Sequence, residues 1–269
     1  MDDAEEGLGA VVRRFSVDVD AYAELNAPLL FRAAEPLLHA IDFAPAKRIV
    51  DLGTGTGRML LALQERAPHA SVIGTDVVQA MLQRAREDTG APVAAMDVSR
   101  LALGDGVADV TFSAFVLRFL TDPIEALREQ HRILRAGGVA GVVVWGAAED
   151  AAHETLLDEV LDEHGAAPYV FGQPLTDNLL DDPDKLRTAM ETAGFPNPRT
   201  WAAELVWSFT ARSFLDFAQR ALDHFRQRCA SLDPQTRKQA LRVAADRLAT
   251  AGMATGEDRS GVVYGLATR

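Results

Sequence analysis

Asp51, Gly53, Gly55 and Gly57 stand together in the run Arg48 to Gly57 (RIVDLGTGTG), and acids recur downstream at Asp76 and Asp97. Glycines this close let a turn adopt positive φ and let a ligand lie against the backbone where a Cβ would intrude. Asp76 follows Gly57 by 19 residues, the place where a carboxylate at the tip of a second strand accepts ribose hydroxyls. An acid at a third tip, Asp97, can accept an adenine amino group while Val98 offers its backbone N–H to the ring. The spacing excludes two other ligands. A GxGxxG dinucleotide fingerprint needs glycine at position 58, where the chain has Arg58, and the Walker pattern GxxxxGK[ST] is absent.

Positioning such groups takes a strand, a tight turn and a helix. Ile49 and Val50 read as a buried strand, and Met59, Leu60, Leu61 and Leu63 give the next helix one apolar face before Pro68 stops it. Ser71 to Asp76 is a second strand leading into a helix over Val78 to Asp88, which Asp76 can also cap. Pro92 to Met96 is a third strand and Ala108 to Val116 a fourth. Leu101, Leu103 and Gly104 to Gly106 form a turn on the adenine side. Asp122 caps a helix with Pro123 in its first turn, and Val139 to Trp145 is the fifth strand. Upstream, residues 1 to 15 read as a loose acidic start. The pattern is helical from about Asp20 to Ile41, with Leu30, Leu37 and Ile41 on one face and Pro28 opening the second helix.

The DxGxGxG run resembles motif I of the class I S-adenosylmethionine-dependent methyltransferases. The stretch LRFLTDPIEALREQHRILRAGG is similar to the corresponding segment of small-molecule methyltransferases of the ubiquinone and menaquinone C-methyltransferase type. There an Asp-Pro or Asp-Lys helix start follows the fourth strand, and Arg132, Ile133, Leu134, Gly137 and Gly138 match the helix end. The resemblance covers roughly residues 20 to 145. It implies an α/β, Rossmann-like, seven-stranded, mostly parallel sheet with helices on both faces. The last strand would turn back antiparallel between the fifth and sixth, with a helical cap from the N-terminus and from insertions after strands 5 and 6. It implies S-adenosyl-L-methionine as cofactor, held by Asp51, Gly53, Thr54, Gly55, Asp76, Val77, Met81, Asp97, Val98 and Ala114. Tyr22 and Phe31 on the lid, Trp145 at the end of strand 5, and Tyr169 and Phe171 in the cap are the residues expected to line the acceptor. For Tyr22 and Phe31 the alternative is plain core.

One departure stands out after the fourth strand. Quinone C-methyltransferases carry Leu-Arg-Asn there, and this chain has Leu117, Arg118 and Phe119. Arg118 could hold an anionic or phenolic acceptor by charge-assisted hydrogen bonds, or lie over the surface with its stem packed. A base is required only for a hydroxyl, a phenol or an acidic carbon. His69 and His131 fall on helical or exposed positions, and His39 precedes the first strand at the far end from the crevice. His153, His164 and His224 remain on the cap side, and His153 follows the fifth strand most closely. Arg118 and His153 are thus the catalytic candidates. No metal-ligand spacing occurs.

Beyond Trp145 come a helix over His153 to His164, the loop GAAPYVFGQPLTDN, a helix over residues 183 to 194, and a sixth strand with Trp201 and Trp207. Two helices over about 211 to 252 and a last strand, GVVYGLATR, complete the chain. The expected divisions are an N-terminal lid over 1–45, a cofactor-binding core over 46–147, a cap insertion over 148–182, and the rest of the sheet with inserted helices over 183–269, all one domain. Tyr169, Phe171, Trp207, Phe214 and Phe217 in the cap suggest an aromatic or apolar acceptor.

With 39 acidic against 27 basic residues and no basic cluster, nucleic acid is excluded as a partner and a small molecule fits better. Cys229 is the only cysteine, which excludes an internal disulfide. No signal pattern and no run of about 20 apolar residues is visible, so a cytoplasmic monomer or homodimer away from membranes is expected. The function expected is methyl transfer to O, N or C of a metabolite, in secondary metabolism such as antibiotic biosynthesis. The alternative within the fold is cyclisation or other non-methyl chemistry. A nicotinamide dehydrogenase is disfavoured by Arg58. A non-catalytic subunit would be expected to have lost one of Gly53, Gly55, Asp76 or Asp97.

Overall fold

Ile49, Val50, Asp51 and Leu52 are all buried on strand β1 (Arg48–Leu52), as a parallel strand covered on both faces requires. The structure is a computed structural model that describes residues 3–150, 152–170, 177–250 and 255–269. Around β1, chain order is α1 (Asp3–Ser16), α2 (Val19–Ala21), a π-helical turn (Tyr22–Asn26) and α3 (Ala27–Ala40), then after β1 come α4 (Arg58–Arg66) and β2 (Ser71–Asp76). Next follow α5 (Gln79–Thr89), β3 (Val93–Ala95), β4 (Ala108–Ala114), α6 (Pro123–Ile133) and β5 (Leu134–Asp150). The remainder is α7 (Ala152–Glu163), α8 (Asp177–Leu180), α9 (Pro183–Thr192), β6 (Arg199–Thr210), α10 (Ala211–Ala221), α11 (Asp223–Ala230), α12 (Pro234–Thr250) and β7 (Thr255–Thr268).

The strands form one sheet in the order β3-β2-β1-β4-β5-β7-β6. The pairs β3-β2, β2-β1, β1-β4 and β4-β5 are parallel. β7 runs antiparallel to β5, with the Gly137 N–H on the Arg269 carbonyl and the Arg269 N–H on the Gly138 carbonyl, at 2.8 and 2.9 Å. Alternation along the strands sends side chains to two faces. Val50, Leu52, Val142 and Val144 pack with Leu127 and Ile133 of α6 and Leu186 and Met190 of α9. On the other face α3 brings Leu37 and Ile41 so close to Gly141 that a Cβ there would sit about 3 Å from both. Tyr264 of β7 ties to α3 through a 2.6 Å bond from its hydroxyl to the Ala33 carbonyl.

The chain divides into two compact units: Met1–Ala147 with Gln173–Ala203 and Gly261–Arg269, and Ala148–Gly172 with Glu204–Ser260. The second has its own core, in which Leu157, Leu161, Phe214, Phe225 and Leu248 pack between α7, α10, α11 and α12. Its buried guanidinium, Arg228, is held by Asp158 at 2.6 Å and by Asp162.

Three segments differ from expectation. Residues 3–16 form α1 instead of a loose start, because Ala10 and Val11 are buried and Phe15 packs on Phe119 and Tyr22. Three helices, not two, fill the stretch after residue 211: extended Leu222 separates α10 from α11, and Asp233 accepts from the Gln235 and Thr236 N–H groups to start α12 at Pro234. Leu134 to Gly138 belong to β5 and not to the end of α6. Leu134 is extended and pairs with Ala108, and the two glycines lie where the end of β7 crosses them.

Candidate functional site

Gly53 and Gly55, both with positive φ (70° and 52°), turn the chain from β1 toward α4. A Cβ on Gly53 would overlap Val116 Cγ2; one on Gly55 would meet the Tyr22 ring at 3.5 Å, an ordinary contact, so there it is the left-handed φ that favours glycine. Behind them Asp51 is 2% exposed and accepts a 2.6 Å bond from the Thr54 hydroxyl. Burial pushes the Asp51 carboxyl up to about 7, with the Thr54 hydroxyl pulling it back and the neighbouring Asp76 charge pushing the same way.

Asp76 clasps the turn from the tip of β2. One oxygen accepts the Gly55 N–H at 2.9 Å and the other the Val78 N–H at 2.9 Å. Burial raises its pKa despite these backbone N–H groups. At the β3 tip, Asp97 accepts from the Ser99 N–H at 2.8 Å, closing a turn to Arg100. Val98 is buried in the core with Leu101. Met81 is buried in the first turns of α5, and Val77 is half-buried beside Asp76. The Arg132 guanidinium donates to the Leu101 and Leu103 carbonyls and to Asp105, fastening the 101–106 turn to α6.

The tip of β4 completes the crevice. Beyond half-buried Ala114, Phe115 has φ 61°, a left-handed conformation that costs a non-glycine residue about 1–2 kcal/mol. Its N–H bond to the Val143 carbonyl (2.8 Å) and its ring contact with Trp145 (4.4 Å) hold it there. This kink turns Val116 onto Gly53 and starts the short 3₁₀ turn Leu117–Phe119. Above it, Phe15 of α1 meets Phe119 edge to face at 5.2 Å and Tyr22 at 5.8 Å. Burial raises the Tyr22 phenol, with Asp76 adding to the effect and Arg14 opposing it.

The structure thus places Asp51, Gly53, Thr54, Gly55, Asp76, Val77, Asp97, Val98 and Ala114 on the turn and at the ends of the strands around it, with Met81 on α5 and Tyr22 against Gly55. Phe31 lies 5.2 Å beneath the Arg58 guanidinium. In the second unit His153 packs edge-on to Phe209 (4.4 Å), and Tyr169 donates to Asp223 at 3.0 Å. Phe171 lies outside the described residues. Trp207 contacts Phe209, Phe214 and Phe217, and Phe214 is buried, so packing within this unit already accounts for those rings. Sequence reasoning missed Arg14, Phe15, Phe115 and Val116. The apolar spacing of Leu8, Val11, Val12 and Phe15 would have shown α1; Phe115 carries no local signal.

A buried acid, a half-buried one with each oxygen on a backbone N–H, and a turn whose Gly53 has no room for a Cβ fit a ligand that brings hydroxyls and positive charge. With β7 antiparallel in a seven-stranded Rossmann-like sheet, this arrangement defines the class I methyltransferase fold. The Methyltransferase domain family matches residues 50–142. The chain is 34% identical over 189 residues to the malonyl-[acyl-carrier protein] O-methyltransferase of Geobacter sulfurreducens, covering 68% of this chain and 67% of that protein. It is 36% identical over 180 residues to the demethylmenaquinone methyltransferase of Deinococcus radiodurans, covering 61% and 71%. The crystal structure of the Bacillus subtilis YcgJ protein shares the fold, with a TM-score of 0.57 at 15% identity over 88% of this chain and 99% of that one. The chain belongs to the S-adenosylmethionine-dependent methyltransferases of small molecules, and S-adenosylmethionine is its cofactor.

Proposed function

We propose that the crevice at the tips of β1, β2, β3 and β4 holds S-adenosylmethionine for methyl transfer to O, N or C of a small metabolite by in-line displacement. The observation that carries this reading is the Asp76 clasp. Each Asp76 oxygen takes one backbone N–H from the protein and has lone-pair capacity left for a ribose hydroxyl. Asp97 and the Val98 N–H would take the adenine. Gly53, Thr54 and Asp51 would take the amino-acid end, and Val77, Met81 and Ala114 the apolar faces. When bound, the cofactor supplies a methyl group on a positive sulfur that is already a leaving group. The chain's residues have to align the acceptor and keep water out.

The relatives named above carry the names of an O-methyltransferase of malonyl-[acyl-carrier protein] and a methyltransferase of demethylmenaquinone, so acceptors differ among such chains. An acidic chain without a basic cluster suits a small acceptor, aromatic or apolar, met in the cytoplasm of a cell making secondary metabolites, by a monomer or homodimer. Tyr22, Phe31 and Trp145, all in the sheet unit, are the proposed lining.

Calorimetric titration with S-adenosylhomocysteine tests the cofactor site. Wild-type protein is expected to bind in the micromolar range and Asp76→Ala about 100-fold more weakly, since two hydrogen bonds to a charged group are lost. Equal affinity in the two proteins would remove Asp76 from the site.

A further inference from the structure

Tyr22 reaches the glycine turn from a widened piece of helix. Below it α3 is fixed on the sheet: the Tyr264 hydroxyl bonds the Ala33 carbonyl at 2.6 Å, and Leu37 and Ile41 press on Gly141. Immediately before α3 comes the π-helical turn Tyr22–Asn26, in which the Ala27 N–H donates to the Tyr22 carbonyl five residues back. Pro28, in the first turn of α3, supplies the cause. It lacks the N–H that an α-helix directs at the carbonyl four residues back, and its ring clashes with that carbonyl. The ladder passes instead to the five-residue spacing, a form found mostly as single turns and frequently at functional sites. The other side of the turn is held as well, since Asp18 accepts the Ala21 N–H with its side chain at 2.9 Å and the Tyr22 N–H with its carbonyl at 3.1 Å.

The ring so placed ends in a hydroxyl that the protein does not use. This hydroxyl lies 3.6 Å, and the ring edge 3.5 Å, from the place a Cβ on Gly55 would take. Among the described residues none hydrogen-bonds it. The chain's other two tyrosines both bond theirs, Tyr169 to Asp223 and Tyr264 to the Ala33 carbonyl, as a tyrosine out of water ordinarily does. Burial keeps the Tyr22 phenol protonated at neutral pH, so it is a donor.

We propose that Tyr22 is a cofactor-binding residue, its phenol donating to the carboxylate at the methionine end, and that Pro28 is the positioning residue that sets it there through the π-turn. The inference rests on the cofactor reading above and deepens it; the face of the Tyr22 ring keeps its place in the acceptor wall. Charge argues for the carboxylate. Asp51 lies under the turn and Asp76 clasps it, and the Thr54 hydroxyl is already spent on Asp51. Acids serve the ammonium and the ribose hydroxyls of the cofactor, but its carboxylate needs a donor, and a hydrogen bond to a charged group is among the stronger ones.

Calorimetry on the full chain, with S-adenosylmethionine and with its decarboxylated form, tests both residues, because the two ligands differ only in the carboxylate. Tyr22→Phe keeps the ring and removes the hydroxyl. Its affinity for S-adenosylmethionine should fall about tenfold or more, while that for the decarboxylated form stays within about twofold of wild type. Since the hydroxyl bonds no described residue, the melting temperature of the unliganded variant should not drop below that of wild type. Pro28→Ala restores an N–H at position 28 and lets the turn tighten to α, which carries Tyr22 off Gly55. It should weaken S-adenosylmethionine as far as Tyr22→Phe does, with the double variant no weaker than either single one. Unchanged affinity in Tyr22→Phe, an equal loss for both ligands, or a lowered melting temperature would overturn the cofactor role of the phenol. Additive losses in the double variant would overturn Pro28 as its positioning residue. A wild-type chain that binds neither ligand would instead overturn the cofactor reading beneath.

Discussion

Asp51 sits under the glycine turn with its carboxyl pushed up to about 7, chiefly by burial. An unfolded aspartate titrates near 3.9, so between about pH 4 and 7 the folded chain holds a proton that the unfolded chain has released. The folded state is therefore favoured by this group at low pH, and that contribution is lost as pH rises through about 7. Asp51→Asn removes the titration while keeping an oxygen for the Thr54 hydroxyl. Its melting temperature should exceed that of wild type increasingly from about pH 4 to 7 and by a constant margin above 7, and parallel melting curves from pH 4 to 7 would contradict the assignment. A ligand bearing positive charge favours ionised Asp51, so wild-type affinity for S-adenosylmethionine should rise from about pH 6 to 8 and the variant's should rise less. The same residue shows how far local sequence reaches. Asp51, the glycines and Asp76 were legible because all their constraints lie within one strand-turn-helix unit. The seat of Tyr22 on Gly55 and the left-handed Phe115 were not, since each is imposed by contacts from elements distant in the chain.

At the scale of elements, α1 forms from an acidic, glycine-containing start. Gly7 and Gly9 lower intrinsic helix propensity, yet Val11 and Phe15 find buried or aromatic partners that outweigh it. Two edge-to-face contacts of Phe15, worth about 0.5–1.5 kcal/mol each, hold the end of this helix. Phe15→Ala should therefore lower hydrogen-exchange protection of the amides around Ala10 to Phe15 by about 5- to 150-fold and leave those of β1 unchanged. The ion pair of Asp20 with Arg84 makes a useful contrast. It is 2.5 Å long, but the Asp20 side chain is 89% exposed, so Asp20→Ala should change protection hardly at all. A loss of protection from Asp20→Ala with none from Phe15→Ala would mean that charge, not ring packing, fixes the helix. Elements with strong periodicity or an Asp-Pro start, such as β1, β2 and α6, were readable in order and type. The start of α12 carries the same Asp-Pro signal, at Asp233 and Pro234. The extension of β5 back to Leu134 was not readable, because pairing with Ala108 and with the end of β7 creates it.

For the whole molecule, every residue proposed to hold the cofactor, from Asp51 to Ala114, falls in the sheet unit, while the second unit carries a core of its own. Cofactor affinity and the packing of that second core should then be separable. Phe225 is fully buried among the helices of the second unit. Phe225→Ala leaves a cavity that costs about 3–5 kcal/mol, enough to lower the melting temperature by several degrees. At a temperature where the variant remains folded, its affinity for S-adenosylhomocysteine should lie within about twofold of wild type, because no cofactor contact has been touched. Saturating ligand, at about 100 times its dissociation constant, should add about 2.7 kcal/mol to the stability of the sheet unit in both proteins. If affinity in Phe225→Ala instead falls tenfold or more while circular dichroism is retained, the crevice is not built by the sheet unit alone, and residues of the second unit must be counted among those that hold the cofactor.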